Sequence, residues 1–382
     1  MNVWIENPFD NLPCEGYRKQ RFWMMSEAFA AAGHQVVFFT SEFSHANKRN
    51  RELQWLPKEF ELRLISTPPY QRNIGFKRIR SHHAYAKNFV ALAREAGKAD
   101  IIIASSPTLS GAKAALKLGR TMGAMVVIDV MDAWPETFIR LAPKALRPLA
   151  RMILAPLYRT ARMLYREADM VTGVCERYRQ LTQREDYYLA YHGVELTRGK
   201  MGDGSEDDGR IHLVYAGNIG RTYDIETIIK AMDRNKDFVL DIAGKWAGVQ
   251  TERIKAHGYL SEEALHELLC KSDVGIIPMA DDSWVGMPYK LCDYAKAGLP
   301  IVSSLGGESL ALMKRYRAGV SYEAGDVESL ARAIRAAKEI RREDVRRMAE
   351  EALDAKRIYA DYVTKISEKF MSFTPLHKGR GI

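Results

Sequence analysis

The chain has 382 residues, 47% hydrophobic and 27% charged, with a formal net charge of +9. At roughly 150 residues per domain, this length and ordinary globular composition predict two domains. Its four cysteines, Cys14, Cys175, Cys270 and Cys292, form no CxxC pair, which argues against a structural zinc site or a disulfide framework.

The first residues, "MNVWIENPFDN", carry no basic segment followed by an apolar run, so they do not read as a signal peptide. No window approaches the 18 or so apolar residues of a bilayer span. From there strand-like runs alternate with helical patterns: "NVWIE", a helix near 18–32, then "QVVFFT", "ELRLIS", "DIIIAS", "AMVVIDV" and "MVTGV". This is the rhythm of a parallel sheet covered by helices on both faces. The run "GKMGDGSEDDGR" (199–210) breaks it and reads as a linker or exposed loop. The rhythm restarts with "IHLVYAG", "FVLDIAG", "KAHGYL", "VGIIPM", "PIVSS" and "AGVSY", so the second half is another α/β domain. The expected domains are 1–195 and 196–355. Residues 356–382 form a C-terminal helix, expected to cross back to the first domain, and a polar tail ending in "TPLHKGRGI".

Two such domains imply a cleft, with ligands beyond the carboxyl ends of the strands. In the loop after the first strand, Gly16 stands before a helix start with Arg18 and Lys19 beside it, suited to a phosphate or to a plain connection. The strand "VVIDV" runs into Asp129 and Asp132, placed for a base or hydroxyl clamp, although Asp132 also reads as a helix N-cap. "SHH" at 81–83 and "SSP" at 105–107 are further loop candidates. In "YAGNIGRTYDIETIIKA", Gly217, Asn218 and Gly220 form a tight turn with Arg221 beside it, and Gly244 with Lys245 repeats the idea, as for a diphosphate. There is no GxGxxG or Walker A motif.

The segment "DDSWVGMPYKLCDYAKAGLP" (281–300) places Lys290 in the first turn of a helix, where it opposes the helix dipole unless an anion is near. Helical spacing puts Met287, Leu291, Tyr294 and Ala295 to one side, and Lys290 with Asp293 on another.

These segments resemble the bacterial retaining glycosyltransferases of family four, of GT-B type, over nearly the whole chain. "PYKLCDYAKAGLPIV" is similar to the family's P-x-K-x-x-E-Y-x-A-x-G-x-P-V-V. "YAGNIGRTYDIETIIKAM" is similar to its first donor loop, and "HGYLSEEALHELLCKSDVGIIP" to the segment that precedes the second. "IDVMDAWPE" resembles a segment of a subgroup that elongates lipid-linked O-antigen and capsule glycans. The resemblance implies two Rossmann-like domains facing across a cleft, and a nucleotide diphosphate-sugar donor of UDP or GDP type. It assigns ribose binding to Asp293, diphosphate and sugar to Gly286, Met287 and Lys290, the leaving diphosphate to Arg221, and the base to Gly258 and Tyr259. Gly16 would approach from the other domain. No divalent metal and no cofactor is implied. The family's first carboxylate position falls on Val285, with Asp282 or its neighbour Asp281 as substitute. Its basic donor-loop positions fall on Asn218 and Tyr223.

Residues 1–195 hold 28 Lys+Arg against 19 Asp+Glu, whereas 196–382 hold 29 of each, so the first half carries the excess and predicts an anionic partner. From Thr137 to Arg166 there is no acidic residue. Arg147, Arg151, Arg159, Arg162 and Arg166 fall near one helical face, with Leu149, Ile153, Leu157 and Leu164 largely opposite and Pro156 as a kink. This pattern fits a helix lying on an anionic membrane, or a core helix with a solvated basic face. The expected protein is a hexosyltransferase of bacterial cell-surface polysaccharide synthesis, with a lipid-linked or glycan acceptor. It would be cytoplasmic and peripheral on the inner face of the plasma membrane. The rivals are a GT-B-like nucleotide-sugar epimerase and a nucleotide- or RNA-binding protein. No Arg/Gly repeats with interleaved aromatics favour nucleic acid.

Overall fold

The computed structural model describes residues 1–140, 142–196, 201–205, 208–217, 219–220, 223–280 and 283–375. Two units are present: Met1–Ala190 with the chain from Lys356 onward, and Tyr191–Ala355.

In the first unit, β1 (Asn2–Glu6) leads through a 3-10 turn at Pro13–Glu15 to α1 (Arg21–Ala31) and β2 (Gln35–Ser41). A two-residue hairpin, β3 (Phe43–Ser44) and β4 (Arg49–Asn50), precedes β5 (Glu61–Ile65) and α2 (Phe76–Glu95). Then come β6 (Ile101–Ser106), α3 (Leu109–Met122), β7 (Met125–Val130), α4 (Glu136–Ile139), α5 (Arg147–Ile153) and α6 (Ala155–Glu167). Last are β8 (Met170–Gly173), α7 (Arg177–Thr182) and β9 (Tyr188–Leu189). The sheet order is β5-β2-β1-β6-β7-β8-β9, with every pairing parallel. The central strands β6 and β7 are buried at every residue, which is why they read as unbroken apolar runs rather than alternations.

The second unit comprises β10 (Ile211–Ala216), α8 (Ile225–Arg234), β11 (Phe238–Ala243), β12 (Ile254–Gly258), α9 (Glu262–Cys270) and β13 (Val274–Ile277). It continues with α10 (Tyr289–Lys296), β14 (Ile301–Ser303), α11 (Gly307–Tyr316), β15 (Gly319–Ser321), α12 (Val327–Lys338) and α13 (Arg342–Ala352). Its parallel sheet runs β12-β11-β10-β13-β14-β15. Both units are therefore doubly wound, and the chain reverses its direction of travel across the sheet between β1 and β6 in one and between β10 and β13 in the other. Ligand loops of such sheets lie at these switch points.

α14 (Ala355–Met371) carries the chain back into the first unit. Its Tyr362 is fully buried, edge-on to Phe29 of α1 at 6.4 Å between ring centres. Arg21 of α1 and Asp129 of β7 meet in the same interior: Nε to Oδ1 is 2.9 Å and Nη2 to Oδ2 is 2.8 Å, with no exposure on either side chain. Thr172 of β8 donates to Asp129 at 2.6 Å, and Arg21 also reaches the Ala190 carbonyl at 2.8 Å.

The segment 199–210 is partly the exposed loop expected, with Asp203 and residues 208–210 open to solvent, but it lies inside the second unit rather than linking two, and part of it is packed. Gly202 is buried so closely that a Cβ there would lie 2.2 Å from the Cys270 carbonyl oxygen, and the Ser205 hydroxyl bonds Asp273 at 2.9 Å. Gly202 thus serves close packing on the end of α9, whereas Gly209, at φ 74°, has open space around it; composition does not separate the two uses.

Candidate active site

The switch point of the second unit is built around α10. The hydroxyl of Tyr294, on its inner face, accepts from the amide of Ala216 at 3.0 Å and donates to the carbonyl of Ile276 at 3.2 Å. One phenol thus ties α10 to β10 and to the neighbouring β13. Gly275 makes room for it, since a Cβ there would meet the Tyr294 ring at 2.6 Å and Leu299 at 2.9 Å. Gly275→Ala is accordingly expected to lower stability by about 1–3 kcal/mol, the cost of overpacking a filled core, read as a lower urea midpoint with an unchanged slope.

Lys290, the second residue of α10, points its ammonium into this interior. It is 7% exposed, and among the described residues Nζ has no hydrogen-bond partner. Two rings flank it: the Tyr215 centroid at 4.1 Å and the Tyr223 centroid at 4.4 Å. Ring faces attract a cation but do not replace its hydration. Burial therefore pushes the Lys290 pKa down to about 7, against the opposing pull of Asp293.

Gly217, at the end of β10, lies beside this ammonium: a Cβ there would be 3.6 Å from Nζ. Its φ of 127° belongs to glycine, and its amide bonds the Ala243 carbonyl at 2.8 Å. Gly286 is buried, its carbonyl accepting from Ser309, and Met287 is 3% exposed. Behind α10, His192 stacks on Tyr289 with ring centres 3.9 Å apart, and its carbonyl accepts from the Cys292 thiol at 3.3 Å.

The structure thus brings together Gly217, Gly286, Met287 and Lys290, with Asp293 one helical turn beyond Lys290 and half-buried. The carbonyl of Gly220 accepts from the Tyr223 amide at 3.1 Å. Gly244 pairs with Gly258 across an isolated bridge on the far side of β11, where Lys245 and Tyr259 are exposed. Asn218, Arg221, Asp281 and Asp282 lie outside the described residues. Tyr215, one wall around Lys290, does not stand out in the sequence as a site residue, whereas Tyr223, the other, falls on a donor-loop position that the family resemblance marks as basic.

In the first unit, four expectations are corrected. Asp129 is sealed in its ion pair with Arg21 and holds elements together, so it is not placed to act as a base. Asp132 neither caps α4, whose N-cap is Pro135, nor stands free as a base: its carboxylate accepts from the Ala133 amide at 2.8 Å, the Thr137 hydroxyl at 3.0 Å and the Trp134 indole at 3.1 Å. Burial raises its pKa, opposed by those donors. Gly16 ends the 3-10 turn at φ 83° and does not open α1, which begins at Arg21. Pro156 does not kink one long helix but starts a second, within the first turn of α6.

The basic stretch divides accordingly. α6 turns Ala161, Leu164 and Tyr165 into the core and leaves Arg159, Arg162 and Arg166 exposed. α5 has no buried residue: Met152 is 69% and Ile153 68% exposed, beside Arg151, while Arg147 is half-buried.

Among solved structures, the chain is similar to sucrose-phosphate synthase from Thermosynechococcus elongatus, at 14% identity and a TM-score of 0.76, over 97% of this chain and 100% of that one. It is also similar to Anabaena HepE, solved in complex with UDP and glucose, at 12% identity and a TM-score of 0.67, over 96% and 100%. A third is WaaG, a glycosyltransferase involved in lipopolysaccharide biosynthesis, at 13% identity and a TM-score of 0.64, over 95% and 99%. No curated protein sequence matches the chain. The fold and the matched families define a glycosyltransferase of the GT-B class. Residues 19–188 match the glycosyl transferase 4-like domain and residues 210–339 the glycosyl transferases group 1 domain, so the chain carries both halves of that architecture.

Proposed function

We propose that this glycosyltransferase is a retaining, metal-independent hexosyltransferase that takes its sugar from a UDP- or GDP-linked donor. The carrying observation is Lys290: a buried ammonium, without a hydrogen-bond partner among the described residues, at the switch point of the second unit. A diphosphate would supply the counter-charge the protein withholds. Lys290 and the amino end of α10 would then hold the leaving nucleotide diphosphate as its charge develops. HepE, similar in fold, holds UDP and glucose, which supports a nucleotide-sugar donor here.

The acceptor in this reading is lipid-linked or a growing glycan of a bacterial surface polysaccharide, reached from the inner face of the plasma membrane. Exposed Arg151, Met152 and Ile153 on α5 support attachment to an anionic bilayer surface. No helix among the described residues is long and apolar enough to cross a membrane. The protein uses no cofactor and no nucleic-acid partner in this reading.

A panel of UDP-, GDP- and ADP-sugars, with nucleotide release as readout, tests it. Release is expected with one donor class and is stimulated by a lipid-linked acceptor. Absence of both binding and release across the panel would remove the reading. A free sugar epimer formed without acceptor would point to the epimerase instead.

A further inference from the structure

A groove of about 940 Å³ opens entirely within the first unit. Its floor and walls are mostly apolar, including Ile74, Ile79, Phe138, Ile153, Leu154 and Leu157 from the approach to α2, α2 itself and the α4–α6 region. Several of these stay open to solvent without a protein partner: Ile74 is 60% exposed and Ile79 52%. A surface of this kind on a single chain marks something that covers it.

The charged side chains that line it have one sign. The described lining includes Arg78, Lys87, Lys113 and Lys117, and no carboxylate. At one end Arg78 is wedged among rings, its guanidinium 5.1 Å from the Trp134 centroid and 5.5 Å from that of Phe9. Asn73 gathers two cations, its carbonyl bonding Arg78 at 2.6 Å and its side chain Lys48 at 2.6 Å. Arg78 also donates to His82 at 3.3 Å. The nearby carboxylate of Asp132 is occupied by the Ala133 amide, the Trp134 indole and the Thr137 hydroxyl. Burial, reinforced by Arg78, drives the Lys48 pKa down to about 8 and that of His82 to about 3. These bases crowd one another where an incoming anion would relieve them.

We infer that this groove is the subsite for one amphiphilic molecule, a lipid phosphate, with its hydrocarbon chain between α2 and α5–α6 and its phosphate against Arg78. It deepens the lipid-linked acceptor reading and rests on it for the natural ligand only.

Dodecyl phosphate below its micellar concentration is the probe, titrated calorimetrically beside dodecanol and inorganic phosphate. One dodecyl phosphate is expected per chain, at least tenfold tighter than inorganic phosphate. Ile153→Glu, at an exposed position the fold tolerates, is expected to weaken it at least tenfold. Arg78→Gln should weaken dodecyl phosphate comparably and leave dodecanol unchanged. Unaltered affinity in a folded Ile153→Glu, several molecules per chain, or binding only to phosphatidylglycerol vesicles would overturn the subsite. Transfer onto a lipid-linked acceptor that Ile153→Glu leaves intact overturns the groove and spares the acceptor reading. Stoichiometric dodecyl phosphate binding without any such transfer does the reverse.

Discussion

Replacing Lys290 by methionine is expected to weaken nucleotide diphosphate binding by about 10- to 100-fold, the range of a lost charge-assisted hydrogen bond. The wild-type affinity should also depend on pH. With the free ammonium titrating at about 7, a bound diphosphate restores the proton. Affinity is then greatest below that pH and falls about tenfold per unit above it. At pH 8 binding takes up a proton, so the calorimetric enthalpy differs between Tris and phosphate buffers. In the methionine variant the buffer dependence disappears.

Stability should move the other way. A lysine whose folded pKa lies below the ordinary 10.5 destabilises the fold fully below pH 7, and the penalty fades as pH rises towards 10.5. Lys290→Met is therefore expected to be more stable than the parent at pH 6, with the gap closing at pH 10. An affinity that is flat from pH 6 to 8.5 and equal in both proteins would remove Lys290 from the donor site.

Arg21→Ala is expected to cost about 3–5 kcal/mol, because it leaves the Asp129 carboxylate buried without its cation. The measurement is the urea midpoint of the full chain. Arg21→Met with Asp129→Leu should recover much of the loss, since a buried ion pair is often replaceable by apolar groups of similar volume. Wild-type stability with loss of turnover in Asp129→Asn would instead restore Asp129 to catalysis.

These two residues also show where reading the sequence stops. The strands were legible because runs such as "IIIAS" and "MVVIDV" are buried on both faces, and a parallel sheet leaves that mark on the chain. The hairpin at Phe43–Asn50 was not, because two-residue strands have no period. A carboxylate at the end of a strand reads the same whether it is a base or a strut. Only tertiary structure sets Arg21 and Thr172 around Asp129. The helix bearing Lys290 was visible, and its unfavourable place against the helix dipole hinted at an anion. The tyrosines beside it come from β10 and the loop after it, far away in the chain, and no local spacing announces that meeting. The groove beside Arg78 was only partly announced: His82 and His83, read as a loop, lie within α2, and the walls meet from helices separated by two strands.

The return of α14 sets an order on synthesis. The second unit is an uninterrupted run, Tyr191–Ala355, and every residue it needs is synthesised before the body of α14. The first unit begins earlier but finishes later: Arg21 is translated near the start, while Tyr359 and Tyr362, 5.8 and 5.7 Å from its guanidinium, arrive near the end. The half that begins to emerge first is thus the last to have all its parts.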